Sequence, residues 1–351
     1  MILNVLKVFG LSALTFFVAI SLTPFFTHYF YKYKMWKKTS RNLEGVNDEF
    51  KKIHNEKEEL NTPRIGGVII WISVFFVCLL MFLIYKIFPT ELTQKLNFLS
   101  QNQTWLPLAV LIISSLIGLA DDLLQIFQNQ KGGPLFTNGL SKKLRILMVL
   151  LIGAIVGSWF YYKLGMNSVY IPFMGDLYLF WLFIPFFMFV MLGLLSGGVI
   201  DGIDGLAGGI MTIIFAAYGG IAFFQNQIDL AAFCGVITGA LLAFLWFNIP
   251  PARFYMGETG MLGLTTSLTV IVFLTKDVLV LPIIAFPLVA AAGSSLIQIV
   301  SKKYFHKKVF KVAPIHHHFE AIGWPSYKVT MRFWVIELIL AVIGMVIALI
   351  G

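Results

Sequence analysis

The sequence predicts an all-α integral membrane protein with about ten transmembrane helices. Three observations carry this. Hydrophobic residues make up 58% of the chain and charged residues only 12%, with a mean hydropathy of +0.85. A soluble domain does not look like this, because only a lipid-facing surface can be so apolar. Apolar runs of roughly the 20 residues that a span needs recur along the whole chain. Lipid cannot satisfy exposed backbone groups, and these runs are too long for barrel strands, so helices are the expected form.

The runs lie near Ile2–Phe30, Gly66–Phe88, Leu106–Ala120, Ile146–Leu164, Leu177–Leu195, Leu206–Phe224, Leu230–Phe247, Met261–Phe273, Val278–Val300 and Phe333–Ile350. The first is not a cleavable signal peptide: it is long, and bulky, basic residues follow from Tyr31. Pro63 with Gly66-Gly67 marks the entry to the second run, and Pro250-Pro251 stops the seventh. No soluble domain, repeat or low-complexity tract interrupts the pattern, so residues 1–351 read as one polytopic domain. The longest polar stretch, Tyr31 to Arg64, reads as an arm on one membrane face. Cys78 and Cys234 fall inside apolar runs and read as small buried hydrophobes.

The net charge of +9 is distributed unevenly. The loop after the first run holds Lys32, Lys34, Lys37, Lys38, Arg41, Lys51, Lys52, Lys57 and Arg64. The loops after the third and ninth runs are also basic, from Lys131 to Arg145 and from Lys302 to Arg332. The opposite side has only Lys86, Lys95, Lys163 and Lys276. The positive-inside rule then places the loops after odd-numbered runs in the cytoplasm and both chain ends outside it. Topology and anionic-lipid contact account for most of these lysines, and no nucleic-acid partner is expected.

Four polar constellations stand out in a chain this apolar. Asp121-Asp122 close the third run, where a carboxylate at membrane depth costs about 2.5–3.5 kcal/mol unless a cation offsets it. Asp201 and Asp204 sit among glycines in Gly197–Gly209, with a spacing that predicts one shared helix face. Asn248, Arg253, Tyr255 and Glu258 occupy a short loop between the seventh and eighth runs. His316-His317-His318 hold half of the chain's 6 histidines. Consecutive helical residues are rotated by about 100°, so at most one or two of the three could face one ion. All four constellations map to one membrane face. With Lys143 beside them, they suggest a metal-assisted site for a phosphorylated substrate, in which hard oxygen ligands favour Mg²⁺ or Mn²⁺ over zinc. A secondary transporter is the rival from another class, but its acids should gather near the bilayer midplane.

These residues resemble a known family. Asn61-Thr-Pro-Arg-Ile-Gly-Gly67, Gly118-Leu-Ala-Asp121-Asp122, Gly139-Leu-Ser-Lys-Lys143, Asp201-Gly-Ile-Asp204-Gly-Leu-Ala207, Trp246-Phe-Asn248, Met256-Gly-Glu-Thr-Gly260, Ala313-Pro-Ile-His-His-His-Phe-Glu320, Gly323-Trp324 and Arg332-Phe-Trp334 are similar to the motifs of polyprenyl-phosphate N-acetylhexosamine-1-phosphate transferases. The histidine block resembles the phospho-N-acetylmuramoyl-pentapeptide transferase branch rather than the N-acetylglucosamine branch.

The resemblance implies a multi-pass protein of the bacterial inner membrane with a cytoplasm-facing site and, as in the family, a homodimer. It implies transfer of phospho-MurNAc-pentapeptide from its UDP carrier to undecaprenyl phosphate, giving lipid I and UMP. It implies catalytic roles for Asp121, Asp122, Asp204, Lys143, His316 and His317. Asn248, Asp201 and His318 would contact substrate, and Glu258 with Asp201 or Asp204 would hold Mg²⁺. Tyr255 and Arg253 are added as substrate contacts from their place in the same loop as Asn248 and Glu258, not from the resemblance. The sequence departs from the family pattern at four places: Glu258 stands for Asp, Gly198 and Leu195 for Asn, and Gln125 for Lys.

Overall fold

Nine helices among the described residues are long and apolar enough to cross a membrane, and a bent pair makes a tenth span. The computed structural model describes residues 2–37, 60–99, 103–127 and 139–351. Most of the expected polar arm lies outside these residues, as do Lys38, Arg41, Lys51, Lys52, Lys57 and Lys131.

The spans are α1 (Ile2–Lys32), α2 (Gly67–Ile87), α3 (Trp105–Ile126), α4 (Lys142–Lys163), α5 (Phe180–Ile200), α6 (Leu206–Phe224), α7 (Ile228–Asn248) and α8 (Gly257–Leu274). The ninth, α9, consists of Val278–Ile284 and Phe286–Phe305, bent by 82° at the break. A short helix α10 (Ile315–Ala321) carries the histidine triplet. The last span is α11 (Ser326–Ile350). One feature has no counterpart in the hydropathy pattern. Between α4 and α5, β1 (Ser168–Ile171) pairs antiparallel with β2 (Gly175–Tyr178), Val169 opposite Leu177. The expected fifth run began inside β2, at Leu177, because hydropathy does not separate an apolar strand from an apolar helix.

Burial orders the helices. α8 is the central one, with 94% of its most apolar window inside the protein, against 22% for α11 and 28% for α1. This explains why the eighth run looked short. Its polar residues Thr259, Thr265, Thr266, Ser267 and Thr269 are fully enclosed by protein, and the hydroxyls of Thr265, Thr266 and Thr269 bond back to carbonyls one turn earlier. α3 packs along α8 at backbone distance. Any side chain at Gly118 would strike the Glu258 carbonyl, so only glycine admits this approach.

The end of the bundle opposite the acidic residues is fastened by its own polar cluster. Gln225 Nε2 donates to Asp277 Oδ2 (2.8 Å) and to the Thr275 carbonyl (3.0 Å), and Tyr218 donates to the Asp277 carbonyl (3.2 Å). Burial pushes the Asp277 carboxyl up to about 6, while the Gln225 bond pulls it down. A carboxyl raised in the folded state opposes folding once ionised. Its contribution is therefore favourable at acid pH and is lost as pH rises through about 6. Asp277→Asn is expected to raise stability at pH 8 by about 1–2 kcal/mol and to leave it nearly unchanged at pH 4. Thermal midpoints in detergent at the two pH values would check this, and a pH-independent effect would refute it.

Candidate active site

The acidic residues gather around the amino end of α8. Met256, its N-cap residue, offers no side-chain cap, yet the first N–H groups of a helix need acceptors. Carboxylates from other elements supply them. Asp122 Oδ2 accepts from Thr259 N (2.8 Å) and Thr259 Oγ1 (2.7 Å), and its Oδ1 accepts from Glu258 N (3.3 Å). Asp201 Oδ2 accepts from Gly257 N (3.1 Å). The positive end of the α8 dipole favours this negative charge. Asp122 is completely buried, so three donors and the dipole compensate an enclosed carboxylate.

Asp121 points elsewhere. Its Oδ1 accepts from Leu140 N (2.5 Å), and Oδ2 lies 3.3 Å from Gln125 Nε2 and 3.4 Å from Arg145 Nη1. Arg145 also bonds Glu258 Oε1. Glu258 is the common neighbour of the cluster, close enough to act electrostatically on Asp121, Asp122 and Asp201. Arg64 acts in the opposite sense on Asp122 and Asp201. Burial pushes the Asp201 carboxyl up to about 6, with Arg64 and the Gly257 N–H opposing the rise.

Several expectations about local geometry change here. Asp121 and Asp122 lie within α3, which continues to Ile126 rather than ending at Ala120. The helix survives them because other elements solvate both carboxylates. Asp201 and Asp204 do not share a helix face: they occupy the turn between α5 and α6, where Gly205 adopts φ +74°. Asp204 Oδ2 instead accepts from Ala252 N (2.9 Å). Asn248 ends α7, and Glu258 lies in the first turn of α8 rather than in a loop. The Asn248 amide joins two turns, accepting from Gly205 N (3.0 Å) and donating to the Phe254 carbonyl (2.9 Å). Asn248 and Asp204 thus hold the frame of the site.

The loop after α7 divides its polar residues between two places. The Tyr255 backbone pairs with Pro63 and Gly66, and Met256 with Gly67. The Thr62–Gly67 motif therefore serves as a brace behind the α8 terminus. The Arg253 side chain turns away from the acids and lies over the Phe247 ring, 5.5 Å from its centroid. Lys143 is exposed on the first turn of α4, which Ser141 caps through Leu144 N (3.3 Å).

The three histidines have three environments. His316 is fully buried, and neither ring nitrogen has a hydrogen-bond partner among the described residues. Burial, with His317 beside it, holds its pKa well below the usual imidazole range, so the ring is neutral. His317 Nδ1 bonds Glu320 Oε2 (2.6 Å), and Ser326 Oγ donates to Glu320 Oε1 (2.6 Å). A Cβ placed on Gly202 would lie 2.8 Å from His317 Nε2 and 3.1 Å from His316 Nε2. Both rings thus converge on the turn that carries Asp201. His318 faces away, its Nδ1 accepting from Lys311 N (3.2 Å).

Sequence reasoning read Arg145 only as a topology charge, and gave Arg64 and Glu320, though inside family-like motifs, no role in the site. The available signal was position: Arg64 and Glu320 lie inside those motifs, and Arg145 stands two residues after Lys143. Glu320→Gln is expected to raise the donor KM about tenfold through misorientation of His317, with kcat less affected. Glu320→Asp should restore part of it, and an unchanged KM for Glu320→Gln would refute the role.

The glycosyl transferase family 4 profile matches residues 104–276, the segment from α3 to α8 that carries the carboxylates. Near-full-length relatives decide the assignment. A phospho-N-acetylmuramoyl-pentapeptide-transferase of Pelagibacter ubique is 35% identical, covering 96% of this chain and 91% of its own. The chain belongs to the phospho-N-acetylmuramoyl-pentapeptide-transferase family. Relatives of the same name from Caldanaerobacter subterraneus (34% identical; 95% of this chain, 96% of its own) and Latilactobacillus sakei (32%; 93% and 95%) agree. This transferase is therefore an enzyme and a multi-pass membrane protein.

Among the described residues of the transferase, no three histidine, cysteine or carboxylate side chains form a ready metal cage. The donor chemistry nevertheless fits Mg²⁺. That ion uses one or two carboxylates, several waters and substrate phosphates rather than an all-protein cage. Asp201, with Oδ1 free of hydrogen bonds among the described residues, and the partly exposed Glu258 are the two that suit it best.

Proposed function

We infer that the acid cluster is where phospho-MurNAc-pentapeptide passes from UDP-MurNAc-pentapeptide to undecaprenyl phosphate, giving lipid I and UMP. The observation that carries this is the convergence of Asp121, Asp122, Asp201 and Glu258 with Arg64 and Arg145 at one helix terminus, beside the His316–His317 pair. Phosphoryl transfer needs mainly positioning and charge neutralisation, and this set supplies both. The basic loops support a cytoplasmic orientation for this face, in the inner membrane, by the positive-inside rule.

Glu258 and Asp201 would hold Mg²⁺, which, when bound, supplies positive charge to the diphosphate and the departing UMP. Arg145 would release Glu258 toward that role while continuing to pair with Asp121. Lys143, the exposed cation on the first turn of α4, would neutralise a substrate phosphate. Asp121 suits the base better than Asp122, whose carboxylate is occupied by the α8 terminus. It would take the last proton from undecaprenyl phosphate as that oxygen attacks the β-phosphorus and the bond to UMP breaks. A phosphoryl-enzyme trapped without lipid acceptor would replace this direct route with a covalent one. His316 and His317 would hydrogen-bond the donor, and Tyr255 would stack on uracil.

The test is purified protein in detergent with Mg²⁺, undecaprenyl phosphate and each UDP-sugar in turn, with UMP release measured. UMP is expected from the muramoyl-pentapeptide donor alone. UMP from UDP-N-acetylglucosamine instead, or from neither, would overturn the assignment.

A further inference from the structure

A cavity of about 440 Å³ opens where the last turns of α1 meet the end of α7 and the loop that follows. His28, Lys32 and Arg253 line it with the hydroxyl-bearing Thr27 and Tyr31, and Pro24 and Phe247 form its apolar wall. Among the described residues that line it there is no carboxylate, and none of Asp121, Asp122, Asp201 and Glu258 is included. The described lining therefore offers two cations and an imidazole without an acid. Among the described residues neither Lys32 nor Arg253 has an ion-pair partner; each lies over an aromatic ring, Tyr33 at 5.8 Å and Phe247 at 5.5 Å.

The rim is built rather than incidental. Tyr31 donates its hydroxyl to the Arg253 carbonyl (3.0 Å), fastening the loop to α1. The next residue, Phe254, is fully buried against Phe30 and Phe244. These contacts anchor the Arg253 backbone on both sides, and Phe247 aligns its guanidinium. Lys32 is the last residue of α1 and Asn248 the last of α7, so the cations stand at head-group level. Phe25 and Trp246, next in the chain to the lining residues Pro24 and Phe247, are 58% and 69% exposed and offer apolar surface to acyl chains. A cationic pocket at the membrane end of helices that expose apolar side chains matches a molecule with a phosphate head and a hydrocarbon body.

We propose that this cavity binds the phosphate head group of an anionic membrane glycerophospholipid between His28, Lys32 and Arg253, at a site separate from the acid cluster. The glycerophospholipid is preferred to the lipid acceptor because, among the described residues, a phosphate here has no carboxylate beside it to serve the reaction.

The test is intact-complex mass spectrometry of the delipidated full-length protein with dioleoylphosphatidylglycerol, dioleoylphosphatidylcholine, undecaprenyl phosphate or inorganic phosphate. The wild type is expected to retain one phosphatidylglycerol at a concentration roughly tenfold lower than a Lys32→Ala, Arg253→Ala double variant requires. Thr27→Trp, which fills the cavity and keeps its charges, should lose the same adduct. Thermal midpoints identify a variant that fails to fold, and the other variant then decides. Equal phosphatidylglycerol retention by wild type and folded variants would overturn the proposal. So would variant-sensitive binding of inorganic phosphate or undecaprenyl phosphate in its place, or a change of oligomeric state in both variants with lipid retention intact, which would assign the cavity to a second copy of the chain.

Discussion

Replacing Glu258 with Gln is expected to lower kcat for UMP release by about 10²–10³-fold, the scale on which removal of one electrostatic contact to a transition state acts. Glu258 bonds Arg145 and is the neighbour that Asp121, Asp122 and Asp201 share. Gln keeps the shape and removes the charge. The Mg²⁺ concentration for half-maximal rate should rise in the same variant, because a carboxylate binds the ion far better than an amide. Glu258→Asp should retain most activity, since it keeps the charge on a side chain shorter by one methylene. Initial rates across a Mg²⁺ titration, with thermal midpoints to verify folding, would measure this. A Glu258→Gln enzyme within threefold of wild type at all Mg²⁺ concentrations would remove Glu258 from the proposed metal site.

The second large effect separates two adjacent carboxylates. Asp122→Ala leaves Glu258 N, Thr259 N and Thr259 Oγ1 without their acceptor inside the protein. Orphaned buried donors and a lost helix cap together cost about 2–4 kcal/mol. Asp122→Ala is therefore expected to lose both stability and activity. Asp121→Asn should behave differently. Leu140 N can still donate to the amide oxygen, and Gln125 can turn its own amide to accept from the new NH2, so the thermal midpoint should move less than in Asp122→Ala while UMP release falls at least 10²-fold. Unfolding in detergent and UMP release, measured on both variants, would decide it. An Asp122→Ala protein that melts like wild type would mean that the carboxylate does not hold the α8 terminus.

The contrast between these neighbours shows where sequence reading stops. Asp121-Asp122 stood out because two acids at membrane depth demand compensation. Nothing local shows that one compensates a helix amino end more than 130 positions away in the chain while the other meets Arg145. The same applies to Asp201 and Asp204. Their spacing of three suits a helix, but Gly205 at positive φ places them in a turn, and each turns to a different loop. Arg253 sat among the site residues by proximity in sequence, yet its side chain lines a separate cavity.

Sequence by itself determined the membrane class, the approximate spans and the family, because length, hydropathy and short motifs are local properties of the chain. It also marked the carboxylates and histidines, which are conspicuous wherever the surroundings are apolar. Tertiary structure decided what each does. It made α8 the central helix and set its amino end among carboxylates from α3 and from the α5–α6 turn. It also gave the three histidines three different environments and bent α9 by 82°. The physical reason is that a polar group's role depends on which partners enclose it. In a bundle those partners come from distant segments, brought together by packing that no local pattern records.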